Sequence, residues 1–182
     1  MDGTAYYHRG ITKVELGDYE GALLDFNKAI ELNSEDSFAY NNRGFVKGKL
    51  GDYEGAVLDF NKAIELDLED SFAYNNRGFV KDKLGDNRGA LLDYNKAIEL
   101  NPEDGTAYYN RGNVKGKLGD NRGAILDFNK AIELNPEDGT AYYGRGISKH
   151  NMGDKDGACL DWSKAGELGF MDAYDFIKEY CK

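Results

Sequence analysis

Every 34 residues the chain returns to one pattern. Arg9-Gly10, Arg43-Gly44, Arg77-Gly78, Arg111-Gly112 and Arg145-Gly146 keep that spacing, and Gly17, Gly51, Gly85, Gly119 and Gly153 follow in step. A fixed period of this size means that each unit is one supersecondary element with too little apolar surface to fold alone, so neighbours must stack to bury a shared core. The function of such a chain is expected on a surface rather than in a cleft.

Within one period, Tyr108, Arg111, Gly112 and Lys115 fall on one side of a helix, and Ala124, Phe128 and Ala131 recur at the three-and-four spacing of a second helix. Between them sits Leu118-Gly119-Asp120, where Gly supplies the left-handed residue that ends one helix and Asp caps the amides that begin the next. Polar links such as Asn101-Pro102-Glu103-Asp104 and Asn135-Pro136-Glu137-Asp138 follow the second helix, and proline cannot continue the helix it follows.

On these residues the chain resembles a tetratricopeptide repeat (TPR) protein, whose unit is a helix, a turn and a helix with an aromatic, Gly, Ala, aromatic, Pro pattern. Tyr108, Gly112, Ala124, Phe128 and Pro136 match that pattern in phase. The resemblance implies an all-α fold, a right-handed α-solenoid of five helix-turn-helix units plus a C-terminal capping helix. It covers residues 1–182 as one domain, with repeats 3–36, 37–70, 71–104, 105–138 and 139–170 and a cap at 171–182.

Two departures recur in every copy. Arg9, Arg43, Arg77, Arg111 and Arg145 stand where the family places a large apolar residue, and Lys13, Lys47, Lys81, Lys115 and Lys149 where it places an aromatic. Buried cations need partners, and each copy carries an Asp just before the second-helix aromatic: Asp25, Asp59, Asp93, Asp127 and Asp161. One Arg–Asp pair per copy is expected, with the Lys stems lying over apolar surface and their heads in water.

The last unit differs. The link from Ala165 to Ala173-Tyr174 is two residues shorter than that from Ala131 to Ala141-Tyr142, and Ala173, Tyr174, Ile177 and Cys181 give a helix with a single apolar face. That is the signature of a cap, which covers the stacking face of a terminal repeat. At the other end the first repeat starts directly after Met1-Asp2, so either that repeat tolerates exposure or the chain is part of something longer.

The chemistry of the chain is sparse. His8 and His150 lie in different repeats, and Cys159 and Cys181 have no metal-ligand spacing, so no catalytic constellation, metal site or cofactor is expected. The plain reading of the two cysteines is a pair of partly buried free thiols, with a disulfide as the alternative. A net charge of -10 argues against nucleic acid, whose phosphates call for a basic footprint. No apolar run is long enough to cross a membrane and no signal segment is visible, which points to the cytoplasm unless a leader has been removed.

The informative surface is the free stripe of each first helix, which in the family lines a concave groove. It carries Phe38, Asn41, Asn42, Phe45 and Lys49 in the second repeat and Phe72, Asn75, Asn76, Phe79 and Lys83 in the third; residues 37–50 and 71–84 differ only at Gly48 and Asp82. The fourth contributes Tyr109, Asn110, Asn113 and Lys117, and Thr4, Tyr7, Thr140 and Tyr143 flank the duplicated centre. The column Asn42, Asn76, Asn110 reads either as consensus packing or as an amide ladder for a peptide backbone, since a carboxamide both donates and accepts. Six such bonds at roughly 0.5–1.5 kcal/mol each do not offset about 1–2 kcal/mol per ordered ligand residue, so the phenylalanines are the expected anchors. The clamp lysines by which some TPR co-chaperones grip acidic tails are absent, with Tyr7, Asn41, Asn75 and Tyr109 in their place. The expected partner is a protein or peptide segment, acidic and partly apolar, held by a non-enzymatic scaffold. The alternative is an assembly protein that self-associates through its uncapped N-terminal end.

Overall fold

The computed structural model describes residues 2–181, and these hold eleven α-helices and no strand. Met1 and Lys182 lie outside the described residues, as does the end of the expected 171–182 cap. The helices gather into two compact units, Met1–Leu100 and Asn101–Lys182. The first holds α1 (Gly3–Glu15), α2 (Tyr19–Leu32), α3 (Ser37–Lys49), α4 (Tyr53–Leu66), α5 (Ser71–Lys83) and α6 (Asn87–Leu100). The second holds α7 (Gly105–Lys117), α8 (Asn121–Leu134), α9 (Gly139–Asn151), α10 (Lys155–Glu167) and α11 (Ala173–Tyr180).

The turn inside each pair follows from its Gly-Asp dipeptide. After α3, Gly51 adopts φ +86°, a region that a side chain disfavours. Its N–H donates to Gly48 O at 3.2 Å and the Asp52 N–H to Lys47 O at 2.9 Å, which satisfies two carbonyls left over at the helix end. The Asp52 carboxylate then accepts from the Gly55 N–H at 2.9 Å and so opens α4.

The second-helix aromatic locks the pair. Phe60 is buried against Gly44, and a Cβ at Gly44 would stand 2.8 Å from Phe60 Cε1, so only glycine lets α3 and α4 approach this closely. Phe26, Tyr94, Phe128 and Trp162 fill the same place in the other pairs. Burying each such ring contributes about 1.5–3 kcal/mol. Stacking within the first unit uses the next first helix: Val46 packs with Ala22 and Phe26, and Val80 with Ala56 and Phe60.

The recurring arginines are paired as expected. Arg43 Nε and Nη2 donate to the two carboxylate oxygens of buried Asp59 at 2.8 and 2.6 Å, a bidentate fork. Its Nη1 donates to Asn27 Oδ1 of the preceding pair at 2.9 Å, and the guanidinium lies 5.4 Å from the Tyr40 ring centroid. Arg9–Asp25, Arg77–Asp93, Arg111–Asp127 and Arg145–Asp161 repeat the fork. The Arg9 fork holds the Asp25 carboxyl down at about 2.

The lysine expectation needs correction. Lys13, Lys47, Lys81, Lys115 and Lys149 do not send their heads into water but reach the second oxygen of the same aspartates, Lys47 Nζ standing 2.8 Å from Asp59 Oδ2. A carboxylate this deeply buried keeps acceptor capacity after one fork, and a second cation fills it.

In the second unit, α11 lies on α9 and α10. Phe176 stacks 5.1 Å from Trp162 and 5.2 Å from Tyr143, and Tyr180 lies 4.5 Å from His150. Cys159 of α10 and Cys181 just past α11 form a disulfide with Cα atoms 5.7 Å apart, so the reading of two free thiols is overturned. The short link that precedes α11 turns at Gly169 and brings the two cysteines together.

Candidate functional site

On α3 the positions 38, 42, 45 and 49 lie on one stripe at helical spacing, and on α5 the equivalents are 72, 76, 79 and 83. Phe38 and Phe72 are 59% and 63% exposed although both are large apolar rings. Phe79 is exposed, whereas Phe45 is half-buried and packs against the Val46 and Val80 clusters on both sides of it. Lys49 Nζ stands 5.2 Å over the Phe45 ring and Lys83 Nζ 5.1 Å over the Phe79 ring. Neither ammonium has a carboxylate within ion-pair distance among the described residues, unlike the lysines that hold Asp59 and Asp93. Each stripe thus offers an open ring at one end and, at the other, a cation held over a ring and not by a carboxylate.

The asparagines between these ends already work across repeats. Asn42 Nδ2 donates to Phe38 O at 2.9 Å and to Tyr7 Oη of α1 at 3.3 Å, so both of its amide hydrogens are used. Burial pushes the Tyr7 hydroxyl up, and the hydrogen bond that its oxygen accepts from Asn42 acts in the opposite direction. Asn76 Nδ2 donates to Asn41 Oδ1 at 3.2 Å, joining α5 to α3, and Asn75 is buried. The amide column is an inter-repeat lock first; what it leaves outward is the Oδ1 of Asn42 and of Asn76.

In the second unit the same stripe reads Thr106, Asn110, Asn113 and Lys117 on α7, with Lys117 exposed and both asparagines half-buried. Tyr109 leans on Phe128 at 6.0 Å. On α9 the column has Gly144, where a Cβ would meet Phe128 Cζ at 2.7 Å, so α9 lies tight on that ring where α3, α5 and α7 carry asparagine. Tyr143 is covered by Phe170 at 4.7 Å and by Phe176.

A second surface did not enter the sequence reading. Leu24, Leu58, Leu92, Leu126 and Leu160, one on each second helix, are about equally exposed, with Leu58 at 69%. Their signal is plain in the sequence, a Leu two residues before each buried second-helix aromatic. No group of three or more His, Cys, Asp or Glu among the described residues is placed to hold a metal ion, and no helix is long and apolar enough to cross a membrane.

Comparison with known proteins agrees with the repeat fold. A family model described as "TPR repeat" matches residues 3–51 and 83–119, and one described as "Tetratricopeptide repeat" matches residues 37–70 and 105–138. The crystal structure of MamA is similar at a TM-score of 0.79 and 25% identity, over 91% of this chain and 96% of that one. YrrB, described as "a TPR protein with an unusual peptide-binding site", is similar at 0.78 and 26%, over 97% and 92%. MamA 41-end from Desulfovibrio magneticus RS-1 reaches 0.82 at 24% identity, over 91% and 94%, a likeness of fold alone. No curated protein sequence matches the chain. The repeated glycine-locked helix pairs and the matching family models lead to one conclusion: the chain belongs to the tetratricopeptide repeat family.

Proposed function

We propose that this protein is a non-catalytic interaction scaffold whose first-helix stripes bind an extended, acidic and partly apolar segment of a partner protein. The observation that carries this reading is the pair Phe38 and Phe72. A folded chain gains about 25 cal/mol for each Å² of apolar surface removed from water, yet two equivalent rings in successive repeats stay open, while at the other end of each stripe a lysine lies over a ring with no carboxylate within ion-pair distance among the described residues. Family membership supports the scaffold, and YrrB shows by its description that the fold accommodates a peptide site. Phe38, Phe72, Phe79, Lys49 and Lys83 are the proposed contacts in the first unit, and Asn110, Asn113 and Lys117 in the second.

The test compares partners captured by the wild-type chain with those captured by a Phe38→Ala, Phe72→Ala, Lys49→Glu, Lys83→Glu variant whose circular dichroism is unchanged. A partner lost by the variant, and mapped with overlapping peptides to one linear segment, supports the groove. Partners held equally by both proteins would sink it.

A second reading, self-association through α1, is favoured by one observation: the Arg9 side chain is 46% exposed, whereas its equivalent Arg43 is 18% exposed under the preceding pair. Mass that rises with concentration in light scattering, and that an Arg9→Glu change abolishes, would support assembly. As to compartment, Cys159–Cys181 is a bond of the kind that persists in oxidising surroundings and is rare in cytosol, so we propose an oxidising compartment in place of the cytoplasm. Alkylation of unfolded protein taken directly from cells, with both thiols found open, would overturn that.

A further inference from the structure

We infer that the ligand lies across α3 and α5 as a polyproline-II strand, with one apolar and one acidic residue in every three. This inference rests on the peptide-groove reading above and specifies its ligand.

The register comes from the duplication. The α3 and α5 stripes are copies of one another, and Asn76 on Asn41 puts the two helices in direct contact. Packed helices lie about 8–10 Å apart, so a ligand crossing them meets the same group again after that distance. A polyproline-II chain returns the same face every three residues, about 9.3 Å. A β-strand returns it every two residues, about 6.6 Å, and is out of step by the second repeat. The duplicated stripe therefore selects three residues per repeat.

The composition comes from the two ends of the stripe. Phe38 and Phe45 are seven residues apart, about 10 Å along the helix, so one ligand chain runs between an apolar lane of Phe38 and Phe72 and a cationic lane of Lys49 and Lys83. Of three residues per turn, one faces each lane and the third faces solvent. An apolar side chain meets the open rings, and a carboxylate meets the ammonium groups, which lie over rings and have no carboxylate within ion-pair distance among the described residues.

An α-helical ligand with apolar residues at i and i+7 also spans about 10 Å, but its N–H groups are engaged internally. Asn42, with both amide hydrogens used on Tyr7 and Phe38, presents only a carbonyl to the ligand. A polyproline-II backbone makes no internal hydrogen bonds and has N–H groups to give to that carbonyl. The asparagine column thereby favours the extended chain over the helix.

The test is a displayed library of random peptides long enough to cross both repeats, selected on the full chain and counter-selected on the Phe38→Ala, Phe72→Ala variant, which circular dichroism shows to be folded. The expected ligands carry apolar residues at i and i+3 with an acidic residue in each triplet. Moving the second apolar residue to i+2 or i+4 lowers their affinity about thirtyfold, a hot-spot-sized effect, and selection on Lys49→Glu, Lys83→Glu removes the acidic preference. Variant-sensitive peptides with apolar residues at a spacing of two or seven would overturn the register while leaving a peptide groove in place. If no peptide distinguishes the wild type from the variant, the register and the groove reading fall together.

Discussion

The two units are built from one repeat and differ in how much of their apolar surface they leave open. In residues 1–100, the stripes of α3 and α5 are near copies that leave Phe38, Phe72 and Phe79 open. In residues 101–182 the equivalent positions hold Thr106, Asn113, Thr140 and Ile147, and the chain covers its own apolar surface with α11, stacking Phe176 on Trp162 and Tyr143 and closing the cap with Cys159–Cys181. The buried half of the repeat barely changes between the two: glycine under an aromatic ring, and aspartate between an arginine and a lysine, occur in both. The difference teaches that the inward and outward faces of a first helix vary independently, so one scaffold carries open aromatic rings in one unit and a closed end in the other.

The largest effect should come from the closed end. Trp162→Ala removes the ring on which Phe176, His150 and Tyr180 rest, and is expected to cost about 3–5 kcal/mol. Hydrogen exchange should show protection lost first in α9, α10 and α11. If α1 to α4 lost protection first, the contrast between a self-closed unit and an open one would be wrong. Next comes the disulfide: Cys181→Ser, or reduction, releases a loop with a sequence separation of 22, worth about 3 kcal/mol by chain entropy. Exchange in α11 should accelerate under reductant while α3 and α5 stay as they are.

The ion clusters sharpen the comparison inside the first unit. Asp59→Asn leaves Arg43 and Lys47 without their carboxylate in a mostly buried setting, at about 1–3 kcal/mol. Asp25→Asn should cost less, because Arg9 is far more exposed. Urea midpoints of the two variants check the order. For Asp25 the pH dependence has a definite sign: its folded value of about 2 lies below the ordinary 3.8. Its stabilisation is complete above pH 4 and is lost as pH falls through 4 towards 2. In Asp25→Asn that part of the acid melt of α1 and α2 should vanish.

How much of this was legible in the sequence depended on whether a residue's role repeats. The helix pairs, the Gly51-Asp52 turns and the Arg43–Asp59 forks were all readable, because a 34-residue period shows each of them five times and local chemistry explains each one. The lysines misled: Lys47 on an apolar-phase position reads as a snorkelling stem, and only the depth of Asp59 shows that its carboxylate takes a second cation. The disulfide was illegible for a different reason, since Cys159 and Cys181 occur once each and their meeting depends on how the short link through Gly169 turns. Asn42 and Asn76 were visible as a column. That their donors serve Tyr7 and Asn41 rather than a ligand depends on inter-repeat distance, which spacing within one helix does not encode.

The smallest effect on stability is the one that isolates the site. Phe38→Ala and Phe72→Ala remove rings that are mostly in water already, so their unfolding free energies, read from urea melts, should move by no more than about 0.5 kcal/mol. Phe45→Ala, on the same helix stripe seven residues away, removes a ring wedged between the Val46 and Val80 clusters and should cost clearly more. One helix thus supplies both the test and its control. If Phe38 and Phe72 are binding residues, a selected peptide loses affinity for their variants at unchanged stability, whereas Phe45→Ala lowers both together. Should Phe38→Ala destabilise the fold as much as Phe45→Ala, the open rings would be structural, and the first unit would lose the feature that sets it apart from the second.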